Sequence, residues 1–553
     1  MFLLALVTSP LVALVSVGTA TAAYMALAAA SALAASWLLM HRSKNREPNV
    51  DWRRIGIKHV DVPSKSLFGD QLSENISDLF AQYGDTFGTH QDTGPWLVTS
   101  NLDLLRFIMI KDFNNFVDRA DSLNSATPVA KSLFFAKGNH WRRHRQIVSP
   151  TFSSSKLRLI SKSVEQSAET LAGYLMQQAK DGTLVPIKEI SSRFTCEVIA
   201  KIAFGFEADF IKEGASEFYS FSINMFMLSR DKIASIILGC LHRIPYLVEA
   251  CSKLFPSVQL FDVVNLKAAT YFNDILTTAV AQRREFKESG KQRKHVDFLD
   301  LLLKANENLK AGDQENDEKS SLPLGAPSDV VTKILDDEEL LGHSMLVIFA
   351  GLETTATTLQ CCLFELAKNP DIQEKVFQEI DRVITTEKPS VEDLGGLQYL
   401  DWVINETLRL HPPVPKVSRK AKETRTYNGV TVPQGASVLI PLGAILMNPS
   451  VWPEPEKFIP ERFSPEEKDR RDPMAFICFG QGPRLCLGMR LAYLELKQAL
   501  VHVLRKVKVV LNDRTEPKKG GGGLEAKNAG LLIPLKPVML AFELREHEIP
   551  ADE

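Results

Sequence analysis

The sequence predicts a mainly α-helical body carrying a small β-sheet subdomain, preceded by one N-terminal transmembrane helix. Three observations lead there. Six long stretches repeat apolar residues at the helical period, strand-like pieces are few and short, and the first forty residues contain no Asp, Glu, Lys or Arg.

In chain order the uncharged run comes first. About 20 apolar residues cross a bilayer core of roughly 30 Å, so Met1 to Met40 is long enough to span. His41, Arg42, Lys44, Arg46, Arg53 and Arg54 follow it, and basic flanks favour the cytoplasmic side. A cleaved signal peptide is the rival, because Ala29 to Ser36 offers A-x-A-like sites. Against it stand the absence of a basic n-region and a run well beyond the roughly 7–15 residues of a usual h-region. The expected division is therefore an anchor over 1–40, a basic linker over 41–70 and a single domain over 71–553.

Helical periodicity marks Ser73 to Tyr83, Leu157 to Lys180, Val264 to Phe286, Glu338 to Lys368, Ile372 to Ile384 and Met489 to Val507. Pro95 to Ser100, Val430 to Val432, Ser437 to Pro441 and Leu531 to Leu544 alternate or are β-rich, and Gly, Pro or Asn bound them. Asn306 to Asp329 and the K-K-G-G-G-G run at Lys518 to Gly523 read as surface loops, not as domain linkers. No internal repeat is visible.

Composition excludes several classes. Hydrophobic residues make up 45% and charged residues 24% of 553, a globular balance that rules out a disordered or fibrous chain. Lys plus Arg number 65 against 67 Asp plus Glu, so the whole-chain charge offers nucleic acid no basic footprint. Seven cysteines without a regular framework exclude a disulfide scaffold and indicate a reducing compartment.

The strongest chemical signal is F-G-Q-G-P-R-L-C-L-G, Phe479 to Gly488. Glycines 480, 482 and 488 permit a tight turn around Cys486, and a helix begins directly after it. Amide groups and a helix N-terminus aimed at the sulfur would lower its pKa and favour the metal-binding thiolate. No His or Cys stands at zinc spacing, so one thiolate points to an axial ligand of haem iron. These residues resemble the haem-binding signature F-x-x-G-x-R-x-C-x-G of the cytochrome P450 family, with Phe479, Gly482, Arg484, Cys486 and Gly488 in place; Gly480 lies within the same loop.

Other motifs follow in the order the resemblance requires. A-G-L-E-T-T, Ala350 to Thr355, interrupts a long helix with Gly and Thr, which sacrifice local helix stability. A Thr hydroxyl can bond back to a carbonyl and bend the helix, and packing alone would explain such a bend. In the resembling family this is the oxygen-activation site, with Gly351 opening the helix and Glu353 and Thr354 relaying protons. Glu406 and Arg409 share a helix face at i and i+3. With L-H-P-P-V-P at Leu410 to Pro415 and P-E-R-F at Pro460 to Phe463, they resemble the family's buried network, whose third member would be Arg462.

By the same resemblance Trp141, Arg145, Arg419 and Arg484 would hold the haem propionates, with Arg119 a further contributor; indole N–H and guanidinium suit carboxylates. Phe134, Phe135, Ile348, Ala350, Thr354 and Leu531 would line the substrate pocket, roofed by the apolar stretches Phe218 to Leu228 and Ile233 to Leu241. Core packing explains the composition of those stretches equally well.

The resemblance covers about Leu72 to Glu546, and S-P-T-F-S-S-S-K-L, V-D-F-L-D-L-L-L and G-L-L-I-P-L-K-P-V-M-L look most like the animal microsomal branch of broad xenobiotic and steroid oxidisers. One departure is the proline-rich hinge, reduced to Pro48 and Pro63. The resemblance implies a cytochrome P450 fold with haem b in the 71–553 domain. It also implies a monooxygenase of the endoplasmic reticulum membrane, single-pass with its catalytic domain cytosolic, that inserts one oxygen atom into a lipophilic xenobiotic, steroid or fatty-acid-like substrate. No dinucleotide fingerprint or fused flavin domain is apparent, so electrons would come from NADPH through a separate flavoprotein reductase; Arg142, Arg143 and His144 fit part of a basic docking patch, and fit a plain solvated face at least as well. The alternatives are a haem-thiolate isomerase or dehydratase acting on a peroxide, which some relatives without the relay Thr exemplify, and a non-catalytic membrane haem-binding protein. The identity of the substrate and the oligomeric state are not legible.

Overall fold

The computed structural model describes residues 50–63, 72–91, 93–120, 127–214, 216–225, 264–289, 297–315, 334–515, 524, 526–528, 531–534 and 536–545. The expected anchor, Met1 to Met40, the stretch Ile233 to Leu241 and the loop Lys518 to Gly523 lie outside them.

A 32-residue helix, Asp337–Lys368, is the axis of the body. Its start is dictated locally: the Asp336 side chain accepts from the Glu339 backbone N–H while the Glu339 carboxylate accepts from that of Asp336, and Asp337, Glu338 and Glu339 complement the helix dipole. Asn369 and Pro370 end it, Pro370 opening the next helix at a position where its missing N–H costs nothing. The helix is buried on all sides from Thr355 to Ala367. It is also the one described helix long and apolar enough to cross a membrane, and its burial accounts for that composition.

Around this axis pack Gly138–Val148, Ser154–Lys180, Ile187–Phe204, Leu266–Glu288, Phe298–Glu315, Pro370–Val383, Gln398–Leu410 and Met489–Lys506. Ile187–Phe204 lies closest along the central helix, and Ser154–Lys180 runs along Met489–Lys506. One core joins these helices; a second, around Leu97, Val438, Ile440, Trp452 and Phe463, underlies the main sheet.

That sheet orders Thr86–Gln91, Gly94–Thr99, Ser437–Ile440 and Val417–Lys420, with only the middle pair parallel. The expected strand Leu531 to Leu544 is two strands in two sheets: Leu532–Pro534 pairs with Ala526–Asn528, whereas Met539–Leu544 pairs with Val507–Val510 and Val185–Pro186.

Two further expectations are corrected. Helix Phe298–Glu315 runs through the first part of the loop expected from Asn306, and buried Asn306 brackets the backbone of Leu335 with its amide, accepting at 2.7 Å and donating at 3.0 Å. The linker assigned to 41–70 is part of the body over 50–63: Val60 N–H donates to Gly88 O, and the buried Trp52 ring lies where a side chain at residue 88 would have to sit. A Cβ on Gly88 would come within 2.1 Å of that ring, which explains the glycine.

Candidate active site

The Cys486 loop closes on its own backbone. Cys486 N–H donates to Phe479 O, Gly480 N–H to Ile477 O and Leu485 N–H to Gly482 O. Gly480 and Gly482 take φ of +76° and +68°, and a Cβ on Gly482 would lie 1.9 Å from Met109 O, so backbone from Phe107–Lys111 fills the space a side chain would need. Gly488 caps the helix Met489–Lys506, and the Phe479 ring packs on Tyr493 at 5.6 Å.

Cys486 has an accessible side, while protein encloses the thiol elsewhere. That enclosure raises its pKa above the ordinary thiol value, against the pull of the Gly488 and Met489 backbone N–H groups and the charges of Arg145 and Arg119. The expected lowering is thus corrected: the loop aims its N–H groups as expected, but desolvation outweighs them.

Arg119, Arg145, Arg419 and Arg484 converge beside the loop. Arg484 donates to Val117 O at 2.7 Å and to Ala136 O at 2.9 Å, and its guanidinium lies 4.6 Å from the ring centre of buried Trp141. Arg419, 2% exposed, donates to Ser418 O, and its Nε has no partner among the described residues. Burial, then Arg119, pulls Arg419 down to about 9; burial, then Arg119 and Arg419, pulls Arg484 down to about 8. Burial also lowers Arg145, while the Cys486 thiolate favours its charge. Guanidinium holds its proton at neutral pH, so this is a cluster of buried like charges whose repulsion an anion would relieve.

On the central helix Ala350 is exposed and Thr354 partly so, and with Leu346 they form one i, i+4 row. Leu346 and Leu487, next to Cys486, pack against the same cluster of Phe113, Val117, Leu133 and Trp141. The Thr354 hydroxyl donates back to Ala350 O at 2.7 Å. Glu353 accepts from Lys188 Nζ at 2.6 Å, and Lys188 also reaches Thr357 Oγ1 at 3.3 Å. Sequence reasoning missed Lys188, because its helix carries no amphipathic signal.

Gly351 and Ile348 face elsewhere. A Cβ on Gly351 would meet Ile199 Cδ1 at 2.7 Å, so the close approach there is made by the helix Ile187–Phe204. Ile348 is fully buried in the main core, which corrects its assignment to the pocket: it sits about 200° around the helix from Ala350. Leu346, not singled out in the sequence, occupies the face expected of Ile348. Phe134 is 39% exposed, with the Arg119 guanidinium 3.7 Å over its ring and Phe135 edge-on at 4.9 Å; Leu531 is partly buried. Phe218 packs among Phe204, Phe210 and Phe272, a core position.

Glu406, Arg409 and Arg462 meet in the interior. Arg409 donates to both Glu406 oxygens at 2.7 and 2.8 Å and to Leu446 O and Lys457 O; Arg462 Nε donates to Glu406 at 3.3 Å, as does Ile459 N–H at 2.9 Å. The docking patch is corrected in two of three members. His144 is buried and Arg143 nearly so, both directed at Glu339, while Arg142 alone is exposed and reaches Asn114.

A family model described as Cytochrome P450 matches residues 62–542. Among curated proteins, Cytochrome P450 3A41 of Mus musculus is 32% identical over 473 residues, covering 85% of this chain and 86% of the relative. Cytochrome P450 3A5 of Homo sapiens is 31% identical over 524 residues, with coverages of 93% and 96%. Cytochrome P450 3A27 of Oncorhynchus mykiss is 29% identical over 476 residues, covering 85% of each.

Proposed function

Since the chain belongs to the cytochrome P450 family and is a haem-thiolate monooxygenase, we propose that it works at the endoplasmic reticulum membrane, single-pass with its catalytic domain cytosolic. There it oxidises a lipophilic organic substrate, xenobiotic, steroid or fatty-acid-like, with electrons from NADPH passed on by a separate flavoprotein reductase.

The observation that carries the reading is the juxtaposition of Cys486 with mutually repelling guanidinium groups, of which buried Arg419 keeps an Nε without an acceptor among the described residues. Haem fits both halves, since its iron takes one thiolate and its two propionates take guanidinium and indole donors. Cys486 would supply the thiolate to its iron. Trp141, Arg145, Arg419 and Arg484, with Arg119, would hold the propionates, and Arg419 Nε would gain the acceptor that it lacks. Haem, when bound, supplies the chemistry that inserts one atom of dioxygen into the substrate while the other leaves as water.

The remaining work belongs to the chain's own groups. Thr354 holds its hydroxyl proton on Ala350 O, from where rotation of one side-chain torsion presents it to the open face of the helix. Glu353, held by Lys188, is the carboxylate that takes a proton from solvent water and passes it on to that hydroxyl, returning to its ionised form. Ala350 keeps the floor of the pocket low, and Leu346, Phe134, Phe135 and Leu531 give it an apolar wall that favours a lipophilic substrate. Glu406, Arg409 and Arg462 secure the fold beneath the loop.

The test is reconstitution of the full chain in phospholipid vesicles with a flavoprotein reductase. The reading expects oxygen-dependent NADPH oxidation that a lipophilic ligand stimulates and that Thr354→Ala diverts from product to peroxide. Substrate turnover by the purified chain from a hydroperoxide, with no gain from reductase, would instead favour the isomerase reading.

A further inference from the structure

Glu339 joins two elements that the site treats as separate. Its Oε2 accepts the Asp336 N–H at 3.0 Å and closes the N-terminus of the central helix. Its Oε1 takes Arg143 Nη2 in a very short contact and His144 Nε2 at 3.0 Å. A carboxylate only accepts, so both nitrogens donate to this one oxygen. Although burial opposes ionisation, the His144 hydrogen bond, the Asp336 N–H and the Arg143 charge hold Glu339 down to about 2.

The surrounding groups are fixed as well. Arg143 Nη1 donates to Ile334 O at 2.6 Å. His343, one helical turn past Glu339, accepts the Leu133 N–H on Nδ1 at 3.3 Å, and its ring stands edge-on to His144 at 4.8 Å. Both imidazoles are almost fully buried.

On the helix Gly138–Val148, residues 141 and 145 project to one side, toward Arg484 and Cys486, while 143 lies opposite them and 144 about 80° from the centre of that side, against Glu339 and His343 of the central helix. We propose that Glu339 is a positioning residue of the haem site. By gripping Arg143 and His144 from the central helix, it fixes the rotation and depth of the helix that presents Trp141 and Arg145. The inference rests on the reading that those two residues hold haem propionates.

The experiment measures haem loss from the holoenzyme into excess apomyoglobin for wild type, Glu339→Gln, Arg145→Ala and the double variant, after the thiolate-type carbonyl band has been recorded for each. Supporting residues behind haem and metal ligands carry effects of about 10–100-fold. Glu339→Gln is expected to lose haem about tenfold faster with the band position unchanged. The double variant should lose it more slowly than the product of the two single effects would give, because Glu339 acts through the helix that carries Arg145, with Trp141 accounting for what remains. Multiplying rates in the double variant, or a wild-type rate in Glu339→Gln, would overturn the proposal. Should Glu339→Gln not fold, Arg143→Met keeps the Asp336 cap and carries the same expectation. Absence of the band in wild type would overturn the functional reading itself, an outcome visible before any variant is compared.

Discussion

Lys188 Nζ lies 2.6 Å from Glu353 Oε2, tying a helix without amphipathic pattern to the acidic residue of A-G-L-E-T-T. The pair is about one-quarter to one-third exposed, 33% for Lys188 and 26% for Glu353, so it is neither a sealed ion pair nor a free surface contact.

If Glu353 resupplies the Thr354 proton, Lys188→Met leaves Glu353 free to rotate away. Coupling of NADPH consumption to product is expected to fall roughly three- to tenfold. That is short of the ~10²-fold or more attributed to a general acid itself, because Lys188 acts only through Glu353. Product, peroxide and NADPH counted together check this, with substrate affinity unchanged.

Gly482→Ala places a Cβ 1.9 Å from Met109 O at a φ of +68°. The left-handed backbone alone costs an L-residue about 1–2 kcal/mol, and a backbone oxygen cannot yield as a side chain does. The variant is expected to fold with the loop displaced and to bind little haem, measured as the ratio of Soret to protein absorbance.

Arg419→Gln should separate the two states of the protein. It removes one of several buried like charges, so the apoprotein is expected to be no less stable to urea than wild type. The holoprotein loses a propionate partner and should release haem about tenfold faster, as other supporting residues do. A substitution that destabilised both states equally would assign Arg419 to packing alone.

Acid behaviour follows from His343. Burial, with His144 alongside, pulls its imidazole from 6.5 down to about 3. A depressed folded pKa means that the unfolded chain binds the proton first, so stability falls as pH drops from about 6.5 toward 3. Glu339 adds to the loss from its ordinary carboxylate value of 4.5 downward to about 2. His343→Gln is expected to remove close to one proton of uptake between about pH 6 and 4, read from urea unfolding at several pH values.

Legibility in the sequence tracked locality. The Cys486 loop, the Thr354 back-bond and the Glu406–Arg409 pair each arise within a few residues, and spacing alone set them side by side. The helix Ile187–Phe204 was invisible because every residue from Phe194 to Ala200 is buried, which erases the apolar stripe that periodicity detects. Lys188 went with it. The strand Thr86–Gln91 was missed because four of the six residues in T-F-G-T-H-Q are polar and leave no apolar alternation, even though its hairpin partner Gly94–Thr99 follows directly. Ile348 differs, because two residues along a helix are about 200° apart, which puts it in the core row when Ala350 is in the open one. The Glu339 grip on Arg143 and His144 spans nearly two hundred positions, and no local pattern announces it.

Every role proposed for the site depends on Cys486 as the haem iron ligand. The most direct measurement is the difference spectrum of dithionite-reduced holoprotein with and without carbon monoxide, on wild type and Cys486→Ala. Wild type is expected to show the far-red-shifted Soret band of thiolate ligation, and the variant to lack it. A histidine-type carbonyl spectrum in fresh, folded wild type, or a thiolate band that survives Cys486→Ala, would contradict that ligand assignment.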